Sequence, residues 1–178
     1  MMVLLSCNVN SVFQYCPKCG QKSLSSPSEK LIECSACNFH FYRNPAVATA
    51  VILSDPSGQV LLTRRAKEPA KGKLGLPGGF VDFGETAEDG LRREVREEIS
   101  LELDHIEFLA SYPNQYAYEG IVYPTVDFFF KARVPSFEPA RALSEVENLV
   151  IRDPRQVAPE ELAFDSMRHA MRLYNGSR

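Results

Sequence analysis

Four cysteines constrain this 178-residue chain more than anything else in it: Cys16 and Cys19, then Cys34 and Cys37. They stand in "YCPKCGQKSLSSPSEKLIECSACNF" as C-x2-C, fourteen residues, C-x2-C. Each pair suits a tight turn that aims two sulfurs at one point, and Gly20 after the first pair favours such a turn. Two turns facing one another give four thiolates in a tetrahedron, the geometry of closed structural Zn²⁺ sites. The segment between the pairs is rich in Ser, Lys and Pro and has almost no core. A metal would have to supply much of its folding energy. The competing readings are small buried cysteines scattered by chance and a redox pair, and no strand–CxxC–helix context supports the second. A fifth cysteine, Cys7, is left over and reads as a free thiol. An odd count argues against a disulfide framework, and "MMVLLSCNVN" lacks the basic and small-residue signals of a secretory leader. No apolar run reaches the roughly 20 residues of a membrane span. A cytoplasmic, membrane-free protein is the expectation.

After "FYRNPAV" the composition changes, and Asn44-Pro45 marks a boundary. The expected domains are residues 1–44 and 45–178. "VATAVIL" (Val47–Leu53), the turn "SDPSG" and "VLLTRR" (Val60–Arg65) read as strand, turn, strand. "AKEPAKGKL" reads as an exposed loop. "IEFLASYP", "TVDFFFKARV" and "ENLVIRDP" read as further strands. The final "PEELAFDSMRHAMRLY" spaces Leu162, Phe164, Met167, Ala170, Met171 and Tyr174 for an amphipathic helix that starts at Pro159. Strands followed and interrupted by helices give an α+β fold. A net charge of −3, with few lysines near the cysteines, offers no footprint for nucleic acid.

The longest informative stretch is "LPGGFVDFGETAEDGLRREVREEISL". Thr86 and Asp89 have the spacing of a capping box, which predicts a helix from about Ala87 to Ile99. Ala87, Leu91, Val95 and Ile99 then form one apolar stripe. Glu94, Glu97 and Glu98 fall immediately beside that stripe, where a helix borders a cleft. Like charges three and four residues apart repel by a few tenths of a kcal/mol, on the order of the gain from opposite charges. Arg93 offsets this by pairing with Glu97. Taken alone, the stretch also suits a solvated charged face. Glycines just before it let backbone approach a ligand closely.

From Gly79 to Leu101 the chain resembles the Nudix box, Gly-x5-Glu-x7-Arg-Glu-U-x-Glu-Glu-x-Gly-U with U a bulky aliphatic residue. Gly79, Glu85, Arg93, Glu94, Val95, Glu97, Glu98 and Leu101 match, eight of nine defined positions, and Ser100 replaces a glycine. The resemblance runs from about Ala46 to the end of the sequence and implies a Nudix α/β/α sandwich. The cysteine segment resembles a zinc ribbon. In the Nudix family the glutamates at the positions of Glu94, Glu97 and Glu98 bind Mg²⁺ or Mn²⁺, often with the carbonyl of the residue at Gly79. The carry-over makes Arg93 a support that orients them and Glu85 an outer partner of the helix. Hard divalent ions take such oxygen ligands, and they activate water against phosphorus. A glycine after a helix is usually left-handed, a conformation that costs serine on the order of 1 kcal/mol. Ser100 should therefore cost a little stability and leave the metal ligands intact.

A zinc ribbon directly before such a box is similar to the arrangement of the NADH pyrophosphatase group. That group carries S-Q-P-W-P-F-P-x-S soon after the box. Here Ser111 and Pro113 match and Tyr116 keeps an aromatic, but Tyr112, Asn114 and Gln115 depart. The resemblance implies a hydrolase of a nucleoside diphosphate linked to another moiety, of NADH or ADP-ribose type. The alternative is a non-catalytic Nudix domain that binds a nucleotide as sensor or regulator. Tyr112, Asn114 and Tyr116, with Tyr118 and Tyr123, offer rings and hydrogen bonders for a nucleotide, or they pack under a strand. Arg64 and Arg65 offer phosphate contacts or are solvated. Glu145 and Glu147 lie where relatives place a further metal or base glutamate. The ribbon is expected to be structural or to dimerise the protein.

Overall fold

A computed structural model describes residues 13–177. Cys7 and the start "MMVLLSCNVN", read above as lacking the signals of a secretory leader, lie outside the described residues. The chain divides between Pro45 and Ala46 into two compact units.

The first unit is a small antiparallel sheet of β1 (Leu24–Ser28), β2 (Leu31–Cys34) and β3 (His40–Tyr42), with β2 central. Leu24 pairs with Cys34, and Leu31 with Tyr42. Its buried apolar residues are Cys16, Ile32 and Cys34. One aliphatic side chain is too little to hold a sheet of this size.

The second unit is built on β4 (Ala46–Ser54), β5 (Val60–Arg65), β6 (Leu74–Gly75), β7 (Glu107–Tyr118), β8 (Ile121–Arg133) and β9 (Val146–Arg152). Strand order is β6-β5-β4-β8-β7, with β9 paired to β5. Only β4 and β8 run parallel; the other pairs are antiparallel. From Ala50 to Leu53 β4 is continuously apolar because both faces are covered there. Val51 and Leu53 pack with Leu91, Val95 and Ile99 of helix α1 (Ala87–Ile99). Ala50 and Ile52 pack with Met167, Ala170 and Met171 of helix α2 (Asp165–Gly176). The two-residue period of the strand thus sends alternate side chains to opposite helices. The result is an α+β fold with the mixed sheet between two helices. Among the described residues no helix is long and apolar enough to cross a membrane.

Helix α1 has the boundaries that its capping residues predict. Thr86 is the N-cap, and its Oγ1 accepts the Asp89 N–H at 3.1 Å. Ser100 ends the helix with φ +58° and donates its N–H to Arg96 O at 3.0 Å. Helix α2 starts later than the sequence predicts. Pro159–Glu161 forms a single 3-10 turn, and Leu162 and Phe164 are extended. Ala163 donates its N–H to Leu74 O at 2.8 Å, and Leu162 bridges to Leu74, so pairing with β6 delays the helix to Asp165.

β5 pairs with β4 only at Leu53–Leu61 and Ser54–Val60. Along the rest of that edge, residues 77–81 supply the bonds. Val51 N–H donates to Pro77 O, Thr49 N–H to Gly79 O and Val81 N–H to Val47 O, at 2.8 to 3.0 Å. This split between β4 and β5 opens the cavity described next.

Candidate active site

The glycines at residues 78 and 79 do different work at the split. A Cβ on Gly78 would lie 2.1 Å from Thr49 O and 2.7 Å from Ala50 Cα, and its φ of +141° already excludes most side chains. Only glycine lets the loop lie against β4. A Cβ on Gly79 would instead meet the Glu94 carboxyl group at 2.5 to 2.7 Å. That position is kept bare so that a helix carboxylate can reach the loop.

Helix α1 delivers Glu94, Glu97 and Glu98 to a cavity of about 360 Å³, which Gly78, Gly79 and Phe80 also line. Glu98 accepts the Gly78 N–H at 3.0 Å. Burial pushes its carboxyl group up to about 7, against the opposing pull of that N–H. Glu94 is also raised, chiefly by burial, with Arg93 opposing. Arg93 is the hub of the helix edge. It holds Glu85 through Nε to Oε1 at 2.8 Å and Nη2 to Oε2 at 3.0 Å, and donates to Glu94 at 2.8 Å, Glu97 at 3.3 Å and Phe80 O at 3.0 Å. Its hydrogen bond holds the Glu85 carboxyl below its ordinary value. Glu85 also accepts the Asp82 N–H at 3.0 Å, so it ties the loop to the helix.

The end of α1 is held by a distant segment that the sequence does not connect to it. Arg141 N–H donates to Ile99 O, Leu143 N–H to Glu98 O and Ser144 Oγ to Glu97 O, at 2.9 to 3.1 Å. This segment brings Glu145 to the cavity wall, and Nζ of Lys67, which does not line the cavity, lies 3.0 Å from its Oε1. Glu147, on β9, is not among the lining residues.

Of the other residues singled out in the sequence, Asn114 and Tyr116 line the cavity, and Arg64 and Tyr112 do not. Arg64 donates to Gly72 O at 2.7 Å, whereas Arg65 lines the cavity. Neighbours on a strand face opposite ways, and the pair of arginines carries no local sign of which one turns inward. The Arg65 guanidinium lies 5.2 Å from the centre of the Phe164 ring. Tyr112 shares the inward face of β7 with Asn114 and Tyr116, but stacks on His169 of α2 at 5.2 Å. Phe80, Phe164 and Asp127 also line the cavity, and nothing in their local sequence signals it. A larger cavity of about 680 Å³, lined by Asp55, His105, Glu107, Lys131 and Arg133, contains none of Glu94, Glu97 and Glu98.

The four paired cysteines of the first unit come together. Their sulfurs all lie within 4.8 Å of one another, the one such cluster of potential metal ligands among the described residues. Cys16 and Cys37 sulfurs are 3.8 Å apart, and Cys19 and Cys34 sulfurs 3.7 Å. A tetrahedron with zinc–sulfur bonds of about 2.3 Å has edges of about 3.8 Å, so the cluster fits Zn²⁺. The two turns are built alike. Gly20 N–H donates to Cys16 O and Asn38 N–H to Cys34 O, with φ +72° at Gly20 and +54° at Asn38. The Ser23 hydroxyl, 3.4 Å from Cys34 Sγ, is the main influence that draws that thiol down to about 6.

The family model described as NUDIX domain matches residues 44–174. The chain belongs to the NUDIX family. Solved NUDIX structures share the architecture. A NUDIX hydrolase from Nitrosomonas europaea superposes with a TM-score of 0.70 at 25% identity, over 93% of this chain and 92% of that one. The NUDIX domain of Shewanella oneidensis NrtR, complexed with ADP ribose, superposes with a TM-score of 0.61 at 22% identity, over 76% and 90%, a likeness of fold. Among curated proteins, the "NAD-capped RNA hydrolase NudC" of Pseudomonas fluorescens is 34% identical over 98 residues, 55% of this chain and 35% of that protein. The protein of the same name from Mannheimia succiniciproducens is 32% identical over 107 residues, 56% of this chain and 39% of that one. This NUDIX chain therefore spans well under half the length of the curated relatives it matches.

Proposed function

We propose that the chain is a metal-dependent pyrophosphohydrolase that cleaves the diphosphate of a nucleoside diphosphate linked to a second moiety, of NADH or ADP-ribose type. The observation that carries this reading is one helix edge, with Glu94, Glu97 and Glu98 facing a single cavity beside a glycine loop. The donor set is three carboxylates, with the Gly79 carbonyl keeping one lone pair beside its bond from Thr49 N–H. Such oxygen donors fit Mg²⁺ or Mn²⁺, and the buried, raised Glu98 is a group that a cation would relieve. When bound, a divalent ion supplies Lewis-acid polarisation of a phosphoryl oxygen and a more acidic water.

The chain's own residues do the rest. Arg93 anchors Glu94 and Glu97 to Glu85 and fixes their rotamers, a support that metal ligands depend on. Arg65 lines the same cavity, lies 5.2 Å from the centre of the Phe164 ring and bears electrostatically on Glu98, so its guanidinium would be available to a diphosphate. In this reading Glu98 or Glu145, both lining the cavity, would take up the proton of an attacking water. The four cysteines hold Zn²⁺, which is structural in this reading and outside the chemistry.

The NudC relatives are named for NAD-capped RNA, which contains a diphosphate of the proposed type. The test is a panel of NADH, NAD, ADP-ribose, NAD-capped RNA, diadenosine polyphosphates and nucleoside triphosphates, each with Mg²⁺ or Mn²⁺. The expected result is release of two monophosphates from a dinucleotide. Absence of turnover across the whole panel would overturn the reading.

A further inference from the structure

Asp127 is a carboxyl group in an expensive place. It lies on β8, paired with Ala48 of β4 on one side and Tyr112 of β7 on the other. It is 7% exposed, yet it lines the cavity. Its Oδ1 accepts the Thr125 hydroxyl and its Oδ2 the Ser166 hydroxyl, each at 2.6 Å. Both partners are themselves buried, at 3% and 0% exposure. Among the described residues Asp127 forms no ion pair. Two hydroxyls hold the group in a fixed orientation but leave a lone pair on each oxygen unused. A buried polar atom left so is unfavourable unless something donates to it. Packing alone would be served better by an apolar residue.

The neighbours on that wall complement it. Asn114 faces Thr125 across the β7–β8 pair, so it is the diagonal neighbour of Asp127 on the same face. Its amide forms no side-chain hydrogen bond among the described residues, and it lines the cavity. Two residues on, Tyr116 stands 5.9 Å from Phe164 and 5.2 Å, edge to face, from Phe80, ring centre to ring centre. A flat ring entering among these aromatics would present its edge to Asp127 and Asn114. The carboxyl oxygens accept only, so that edge must carry N–H donors, while the amide can satisfy an adjoining ring nitrogen or oxygen. Arg65 and the three glutamates line the same cavity.

We propose that Asp127 and Asn114, with the rings of Tyr116 and Phe164, form a specificity subsite for a heteroaromatic ring that carries an NH2 group. This rests on the reading of the cavity as a nucleotide site. An amino ring can come from a base such as adenine or from the carboxamide of a pyridine nucleotide, and two pairs of probes separate them.

Calorimetric titration of the full chain with AMP against IMP, and with nicotinamide mononucleotide against nicotinic acid mononucleotide, tests it. In each pair the second compound replaces the NH2 group by oxygen. The first member of at least one pair should bind about tenfold tighter or more, since a site built around a hydrogen bond rejects an analogue that leaves it unpaired. Asp127→Asn should erase or invert the preference. Asn114→Ala should reduce it and, being less buried, guards against misfolding of the first variant, which circular dichroism would show. Equal affinities within both pairs, no binding of any probe, or a preference unchanged in both variants would each overturn the subsite. Turnover of a dinucleotide without such a preference removes the subsite and leaves the hydrolase standing. A preference without any turnover does the reverse.

Discussion

Adjacent glycines give opposite predictions because their missing Cβ atoms would meet different things. Gly78→Ala drives a methyl into the β4 backbone, which has no way to yield, at a φ of +141°. The cost should be several kcal/mol, about what severe backbone clashes and strained φ reach. Thermal unfolding of the variant should show a collapse in stability or no folded protein. Gly79→Ala meets only the end of the Glu94 side chain, which can swing away. That variant should melt near the parent temperature and lose metal affinity instead; normal Mg²⁺ affinity by calorimetry would remove Glu94 from the metal site. Glu98 makes a third residue-scale case. Burial raises its carboxyl from 4.5 to about 7, so between those values the folded chain holds a proton that the unfolded chain has released. Stability of the metal-free protein from this group is then greatest below about pH 4.5 and is lost as pH rises to about 7, by about 3 kcal/mol at most. Glu98→Gln removes the term. Its melting temperature should gain on the parent's between pH 5 and pH 8 in chelator, while turnover with Mg²⁺ falls by orders of magnitude. A constant difference in melting temperature across that range would sink the burial argument.

Helix α1 shows what local sequence can and cannot specify. Its start, its end and its buried stripe follow from Thr86, Ser100 and the 3.6-residue period, all of which act within one or two turns. Ser100 takes the left-handed conformation that a glycine would adopt at no cost, so Ser100→Gly should add about 1 kcal/mol. Urea unfolding measures this directly, and an unchanged midpoint would mean that the segment from Arg141 to Ser144 already fixes that turn. That segment was illegible. Its hydrogen bonds to Glu97, Glu98 and Ile99 join residues more than forty positions apart, and no motif marks the segment itself. The start of α2 failed for the same reason. Pro159 is a sound local start signal, and pairing of Leu162 with Leu74 overrode it. The strand read at "IEFLASYP" stops short of Asn114 and Tyr116, so the face they share with Tyr112 emerges only from the longer β7, which runs to Tyr118. Which of them lined the cavity and which met His169 depended on where α2 lay.

At the scale of the whole molecule, the two units differ in what keeps them folded, and this yields a prediction for metal removal. The second unit has an apolar cluster on each face of its sheet, with Ile52, Leu53, Leu61, Leu62, Leu91 and Phe129 fully buried. The described part of the first unit buries Ile32 and two cysteines and little else. A unit of 45 residues is well below the roughly 70–80 at which a single core suffices, and Cys16, Cys19, Cys34 and Cys37 are free thiols set for a tetrahedron. The C-x2-C pairs made the four-sulfur cluster legible, although the three strands of three to five residues are too short to show a pattern. A strong chelator should therefore release about one zinc per chain and unfold one unit only. Hydrogen exchange read by mass spectrometry should show residues 24–42 losing protection while β4 and β8 keep theirs. Cys34→Ser should reproduce the effect without chelator. Protection unchanged in residues 24–42 after zinc is gone would show that the sheet stands without metal; protection lost equally in β4 and β8 would show that the units fold as one.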